Sequence, residues 1–599
     1  MKSLLHLNKY FLKYKYRLIF GIVFIIISNI FGIIPAQLIR KAFDLVGSSI
    51  FDLKFLAETP LESYFTEHLT TMLLIFAGTV LLMYLLKGLF TFLTRQTIII
   101  MSRLIEYDLK NEIYEHYQKL HLGFYKQNNT GDLMNRISED VSRVRMYLGP
   151  GVMYTINLVV LFVMVIATMA SINVRLTIFV LAPLPLLSFL IYKVSSVINR
   201  KSERVQAQLS TISTLSQETF SGIRVIKSFV KEKFLFQKFD EESELYKTKA
   251  LSLAKTHSFF LPTMMLLIGL STTLTIYIGG LEAIKGNITT GNIAEFVYYV
   301  NQLTWPVASL GWVTSLIQRA AASQERINEF LHTQPEIVNP TETVTEIKGK
   351  IEFKNVSFTY PHTNIQALKN TSFIVNPGET IAIIGRTGSG KSTIANLITR
   401  LFDVTTGEIL IDDKKINEIN LNNLRENIGY VPQEVFLFSD NITNNIAFGE
   451  KKLADSPEII ERAAKNAHIH HNIVDFPKGY ETMLGERGIT LSGGQKQRVS
   501  IARAIIKNPK ILIFDDCLSA VDTETEEKIL NNLKDIMENK TSIIISHRIS
   551  SVQNADKIIV LQDGVICESG KHDDLMKLNG VYADIYHQQL SELTENTQI

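Results

Sequence analysis

Apolar positions are spread unevenly along the chain. In roughly the first 320 residues they run together in long blocks, and beyond residue 350 they fall into short runs separated by polar, helix-like stretches. A helix rises ~1.5 Å per residue and needs about 20 mostly apolar residues to cross the hydrocarbon core of a bilayer. Six stretches meet that requirement: 18–38, 72–93, 148–170, 176–197, 258–281 and 293–317. One such run reads equally well as a buried core helix. Six in succession, three of them without a charge and three with only one, predict six membrane-spanning helices. The first is too long for the apolar core of a signal peptide and no A-x-A-like cleavage site follows it, so it is expected to be retained.

The pattern then changes. Residues 332–349 contain Pro335 and Pro340, break the helical periodicity and read as a linker. After them come strand-like runs at 351–358, 380–384, 408–411, 511–514, 541–545 and 557–561, with helical segments between several of them. That alternation predicts a mostly parallel sheet flanked by helices. The expected organisation is an all-α membrane domain of six helices (1–331), the linker (332–349), an α/β domain (350–590) and a short tail (591–599).

Charge sets the orientation. Lys2, Lys9, Lys13, Lys15 and Arg17 precede the first stretch, and Arg103, Lys110, Lys119, Lys126, Arg136, Arg143 and Arg145 lie between the second and third. The segment between the fourth and fifth, 193–255, is richer still. Between the first and second, residues 40–70 carry five carboxylates against three basic side chains, and the other two loops are only a few residues long. Basic loops stay on the cytoplasmic side, so both termini and the α/β domain are placed inside the cytoplasmic membrane of a multi-pass protein. The long inside loops show continuous helical pattern at 104–122 and 196–216 and are expected to prolong the spans into the cytoplasm.

Composition adds exclusions. At 599 residues the chain exceeds one compact domain, and a net charge of +2 offers no electrostatic case for nucleic acid. Its two cysteines, Cys517 and Cys567, both lie in the soluble half, which excludes a disulfide framework and suits a reducing compartment.

Candidate chemistry begins at Gly385-Arg386-Thr387-Gly388-Ser389-Gly390-Lys391-Ser392-Thr393, between the predicted strand 380–384 and a helix. Glycines let backbone N–H groups curl around phosphates, and the helix N-terminus adds its dipole. Lys391 is placed to reach the β- and γ-phosphates, with the Ser392 hydroxyl on Mg²⁺. The apolar run 510–514 ends in Asp515 and Asp516. A buried strand ending beside such a loop suits Asp515 as the carboxylate on the metal side.

Leu491-Ser492-Gly493-Gly494-Gln495 resembles the signature of ATP-binding-cassette (ABC) proteins, and further positions agree. Tyr360 resembles the aromatic that stacks on adenine. Gln433, in Val431-Pro432-Gln433, resembles the residue that joins the γ-phosphate and metal to the membrane domain. Ser519-Ala520-Val521-Asp522 is similar to the D-loop, and His547 to the switch histidine on the γ-phosphate. Phe124-Tyr125 with 129–133 and Arg136, Glu218 with 222–227, and Glu486-Arg487-Gly488 resemble segments of the exporter branch. The likeness spans about residues 10 to 585. It implies ATP and Mg²⁺ as ligands, with Ser392, Gln433 and Asp515 around the metal. It also implies catalytic roles for Asp516, His547 and Gln433, and a nucleotide sandwiched between 385–393 of one chain and Ser492, Gly493, Gly494 and Gln495 of another, with Asp522 nearby. The implied activity is ATP-driven export, or leaflet flipping, of an amphipathic drug, lipid or lipid-linked molecule by a dimer with alternating access.

One position departs from the family pattern. Glu usually follows the equivalent of Asp515, and this chain has Asp516. Many heterodimeric exporters have one subunit with this Asp and an intact signature, so a heterodimer is favoured over a slowly hydrolysing homodimer. An ATP-gated channel or a regulatory subunit with weak ATPase is the alternative function; soluble ABC ATPases of DNA repair or translation are excluded by the spans. Among polar residues within the spans, Asn29, Asn157 and Glu295 suit helix packing or the interface, and Lys87 is the candidate for facing a cavity.

Overall fold

The structure, a computed structural model, describes residues 2–56, 59, 61–485, 488–518 and 523–596. It divides into two compact units, Met1–His116 with Gly131–Thr333 and Tyr117–Thr130 with Gln334–Ile599.

The first unit is helical. Among the described residues four continuous helical stretches are long and apolar enough to cross a membrane: Lys15–Leu56, Leu61–Lys119, Thr130–Ile172 and Glu232–Ile284. Leu61–Lys119 and Pro183–Ser221 carry helix into the expected inside extensions 104–122 and 196–216, and Lys15–Leu56 also runs past its expected span into 39–56, which the sequence had placed outside. The other two expected spans are also helical, but less uniformly apolar. Stretch 176–197 is divided between Val174–Leu181 and Pro183–Ser221. Pro183 and Pro185 donate no backbone hydrogen bond, and each ring crowds the preceding turn, so one unbroken helix is disfavoured there. Stretch 293–317 lies inside Thr290–Leu331, where Glu295, Asn301, Gln302 and Pro306 dilute the hydropathy.

Polar groups within this unit are mostly paired by packing. Asn29 donates to Asn157 at 2.9 Å, and the Ser28 and Thr91 hydroxyls meet at 3.0 Å. Glu295 is fully buried, 3.3 Å from Arg40, and accepts from Tyr299 at 2.9 Å. The Asn29–Asn157, Ser28–Thr91 and Arg40–Glu295 contacts join separate helices, where an unpaired polar group is costly. On another pair of helical segments, buried Asp140 accepts from Ser323 at 2.8 Å and from Arg326 Nε at 3.0 Å.

Among the described residues the second unit holds ten strands: β1 (Ile351–Thr359), β2 (Gln366–Val375), β3 (Thr380–Ile384), β4 (Thr406–Ile411), β5 (Lys414–Lys415), β6 (Ile428–Val431), β7 (Ile511–Asp515), β8 (Thr541–Ile545), β9 (Lys557–Gln562) and β10 (Val565–Gly570). Six form one sheet in the order β10-β9-β3-β8-β7-β6, parallel except for the β9–β10 hairpin. Its central strands are buried on both faces, which explains their unbroken apolar runs. The remaining four form an antiparallel sheet, β2-β1-β4-β5. The runs predicted at 351–358 and 408–411 therefore belong to a separate sheet rather than to the parallel one.

Tyr117–Thr130 belongs to this second unit, although it lies within the expected membrane domain. Its short helix Leu122–Gln127 packs Leu122 against the buried core, and His121 Nδ1 accepts from the Glu336 N–H at 3.2 Å. Lys126 stands over the rings of Tyr360 and Phe402, at 5.3 and 5.6 Å.

Candidate functional site

The phosphate-binding loop predicted at 385–393 leaves the C-terminal end of β3 and enters the helix Lys391–Ile398. Two glycines are dictated by close approach. A methyl at Gly385 would lie 2.1 Å from the Leu561 carbonyl oxygen, and one at Gly390 would lie 2.3 Å from that of Ala367. Gly390 also has φ +102°, which other residues rarely adopt. Lys391 is buried and donates to the carbonyls of Gly385 and Arg386 at 2.8 and 2.9 Å. The Ser389 Oγ is buried and has no hydrogen-bond partner among the described residues.

Strand β7 brings its carboxylates to the same place from more than a hundred residues away. Ser392 Oγ donates to Asp515 Oδ1 at 2.9 Å, and Tyr430 on β6 reaches Asp515 Oδ2 at 3.4 Å. The next residue, Asp516, is buried with φ +46°, and its N–H donates to Ile545 at the end of β8 at 2.7 Å. Gln433 Nε2 donates to Asp516 Oδ2 at 3.0 Å, which leaves the amide oxygen of Gln433 outside that bond. His547 follows β8 and lines the same cleft, about 420 Å³ in volume, together with Tyr360, Thr387, Gly388, Lys391 and Gln433.

Tyr360 stands at the edge of the cleft. Its hydroxyl is 3.0 Å from Thr393 Oγ1, and Phe358 and Phe402 meet its ring edge to face. The signature residues are elsewhere. Ser492 caps the helix Gly493–Ile505: its Oγ accepts from the Gln495 N–H at 3.3 Å, and Gln495 Oε1 accepts from the Ser492 N–H at 2.9 Å. Ser492 and Gly493 are exposed, and none of Ser492, Gly493, Gly494 and Gln495 is among the described residues that line the cleft. Asp522, with 519–521 and Glu486-Arg487, lies outside the described residues.

Comparison with known proteins now decides the family. Residues 18–307 match the model for the ABC transporter transmembrane region, and 368–519 match the model for the ABC transporter ATPase region, described simply as ABC transporter. The multidrug resistance-like ATP-binding protein MdlA of Escherichia coli K12 is 36% identical over 528 residues, 88% of this chain and 89% of that protein. The ATP-dependent lipid A-core flippase of Syntrophus aciditrophicus is 35% identical over 550 residues, 92% and 91% of the two chains. The chain belongs to the ABC exporter family. A solved bacterial Atm1-family ABC exporter with ATP bound superposes with a TM-score of 0.77 at 26% identity, covering 96% of this chain and 99% of that one. The protein is thus a membrane exporter whose ATPase is coupled to transport, and exporters of this kind work as dimers.

Several residues of the exporter's site carry no short motif and were not singled out in the sequence for these roles. Glu526 is buried on the helix Thr523–Met537, accepts from Arg548 at 2.6 Å and from Ser550 at 3.2 Å, and also bonds Ser551. Gln589 bonds the backbone of His547 and Ile549. Together they brace the loop that carries His547. An acid three residues into a helix gives no sign of a partner twenty-two positions away; only the fold brings them together.

The donor set suits Mg²⁺. A hydroxyl (Ser392), a carboxylate (Asp515) and an amide oxygen (Gln433) border one cleft, all hard oxygen ligands of the kind magnesium takes alongside substrate phosphates. Burial pushes the Asp515 carboxyl up, and the hydrogen bond from Ser392 opposes it. Burial, then the charge of Lys391, lowers the His547 imidazole and favours its neutral form.

Burial also pushes the Lys391 ammonium down to about 8, against the pull of Asp516 and Asp515. Lysine is cationic only below its pKa, and the cation is the form that binds phosphate. ATP affinity should thus be steady up to about pH 8, then fall by roughly tenfold per pH unit until the pKa of the bound form is passed. Fluorescent-nucleotide titrations from about pH 7 to about pH 9 test this. A flat profile would show that Lys391 keeps its charge throughout.

Proposed function

We propose that this exporter hydrolyses MgATP in sites shared by two chains and uses the energy to export, or flip between leaflets, an amphipathic drug, lipid or lipid-linked molecule across the cytoplasmic membrane. The observation that carries this reading is the cleft with Lys391 and Asp515 inside it and Ser492–Gln495 outside it. A second chain is needed to supply the missing side. The names of the relatives, one multidrug resistance-like and one a lipid A-core flippase, support an amphipathic substrate.

Each residue then has a task. The glycine-shaped loop and the N-terminus of Lys391–Ile398 hold the phosphates, and Lys391 balances charge on the β- and γ-groups. Ser392, Asp515 and Gln433 would hold Mg²⁺, which supplies charge neutralisation at the phosphates when bound. Tyr360 stacks on adenine. Asp516 orients the attacking water, from a carboxylate one methylene shorter than the family's usual Glu, and His547 contacts the γ-phosphate. The signature of the second chain closes over that phosphate, with Asp522 near the junction. Asp516 beside a complete signature favours a heterodimer whose other chain supplies Glu.

Inside-out vesicles carrying the exporter are expected to accumulate an amphipathic dye with ATP and Mg²⁺ and to stop when the metal is chelated. In intact cells an impermeant maleimide should label Lys285→Cys and spare Lys227→Cys. Reversed labelling overturns the orientation, and ATP-gated ionic currents in place of dye uptake favour the channel alternative.

A further inference from the structure

The backbone that carries His547 bridges two fixed elements. On one side Ser546 continues β8, and its N–H donates to the Ile383 carbonyl at 3.2 Å. On the other, the short helix Ile549–Val552 buries Ile549 and Val552 in an apolar core. His547 and Arg548 are the link between them. The first N–H groups of a helix have no partner within it, and the residue at the capping position here is Arg548, whose side chain makes no cap bond. The helix Val581–Asn596 supplies the partner instead. Gln589 Oε1 accepts from the Ile549 N–H at 3.0 Å, and Gln589 Nε2 donates to the His547 carbonyl at 2.5 Å. One amide thus fixes the peptide groups on both sides of Arg548. The Arg548 N–H donates to Ser546 Oγ at 3.0 Å, and its guanidinium donates to buried Glu526.

The place of Gln589 on its own helix adds to the case. Buried Tyr582 and half-buried Ile585 and Tyr586 pack into the core that holds Ile549 and Val552, and Gln589 lies seven residues beyond Tyr582, on the same face. An apolar side chain would suit that stripe, and an amide there is costly unless it is hydrogen-bonded. Both ends of the amide are bonded, and both bonds go to the loop that brings His547 into the nucleotide cleft. We propose that Gln589 is a positioning residue for ATP hydrolysis. Its amide holds the His547 backbone so that the imidazole meets the γ-phosphate in the transition state, which makes the helix Val581–Asn596 part of the ATPase machinery. The inference rests on the reading of His547 as the γ-phosphate contact and deepens it.

The test uses the full chain purified alone in nanodiscs, where every copy carries the change. Gln589→Met keeps the length and the packing and removes both bonds. Its kcat should fall roughly tenfold, since small misplacements of a positioned group are expensive in rate, while affinity for MgATP stays within about twofold. A fluorescent ADP with Mg²⁺ and orthovanadate mimics the phosphoryl group in flight and reports on positioning even where turnover is slow. Its binding should weaken by the same factor as kcat, and binding of the ADP without vanadate should not. In a His547→Ala background Gln589→Met should add less than about twofold to either loss, because its effect passes through the histidine. Gln589→Glu gives a second route if Gln589→Met does not yield a folded particle. A carboxylate accepts from the Ile549 N–H but cannot donate to the His547 carbonyl, whereas a protonated carboxyl does both, as the amide does. Its kcat relative to wild type should therefore rise as pH falls from about 8 to about 6, while the ratio for Gln589→Met stays flat. Equal weakening of ADP with and without vanadate, or lost ATP affinity with kcat unchanged, would reduce Gln589 to a structural contact and overturn the proposal. A flat ratio for Gln589→Glu, or full additivity with His547→Ala, would overturn it too. Normal turnover in His547→Ala sinks the reading of His547 and the proposal with it, whereas a crippled His547→Ala beside an unaffected Gln589→Met sinks the proposal alone.

Discussion

Lys391→Ala is expected to remove ATP turnover and transport while the chain still inserts in the membrane. Lys391 is the cation placed at the phosphate cleft, and Asp515 and Asp516 stand close enough to influence its charge. Losing one preorganised electrostatic contact of this kind typically costs about 10²–10³ in rate. Here the loss should be at the upper end or beyond, because the two neighbouring carboxylates lose their nearby cation and then repel phosphate. The loop itself should persist, since its shape follows from Gly385 against Leu561 and Gly390 against Ala367 rather than from the lysine. ATPase assays and nucleotide binding in nanodiscs measure the effect. Normal affinity and normal turnover in this variant would remove 385–393 from the site.

Asp516→Glu should act in the opposite direction. An aspartate oxygen falls roughly 1 Å short of where glutamate would place it, against a useful hydrogen-bond window only about 0.6 Å wide. General-base assistance is worth ~10²–10⁴-fold, so even partial recovery raises the ATPase of the chain purified alone. The backbone tempers the gain. Asp516 has φ +46°, a region aspartate tolerates better than glutamate, and Gln433 already holds its carboxylate at 3.0 Å. Heterodimer and homodimer are separated by comparing this position with the signature. In a heterodimer, removing the Ser492 hydroxyl damages the partner's competent site, and Asp516→Asn touches only the weak one. In a homodimer both are crippling. The capping role of Ser492 dictates the substitution: alanine would cost the helix about 1 kcal/mol, and glycine only a few tenths, so Ser492→Gly isolates the contact with nucleotide. Brisk hydrolysis by the wild-type chain alone, abolished by Asp516→Asn, would show that the aspartate is a working base and that no second kind of subunit is required.

Much of this was legible because the signals are local. The spacing from Gly385 to Lys391 is readable without neighbours, since a chain that wraps phosphate needs glycines and a following helix wherever it lies. The antiparallel pairs were harder. β2 carries mostly polar residues on its exposed positions, and β10 follows a two-residue turn at Asp563 and Gly564, whose φ values of +50° and +83° suit that Asp-Gly pair. That last signal was present in the chain and went unread. The broken fourth span has a local cause too, in Pro183 and Pro185.

By itself the sequence determined the class of each half: runs of about 20 apolar residues have few places to go but a membrane, and a strand, a glycine loop and a helix in that order make a phosphate site. Only the tertiary structure decided which polar groups are satisfied. Glu295 and Lys87 look alike in the chain, each a lone charge in an apolar stretch. Folding gives one Arg40 and packs the other against Gly32 and Gln302. It also joins Ser392 to Asp515, 123 positions apart, and leaves Ser492–Gln495 outside the cleft those residues line. The reason is the same in each case. Periodicity and steric demand act over a few residues and are written in order along the chain, whereas pairing depends on which distant side chains packing brings within about 3 Å.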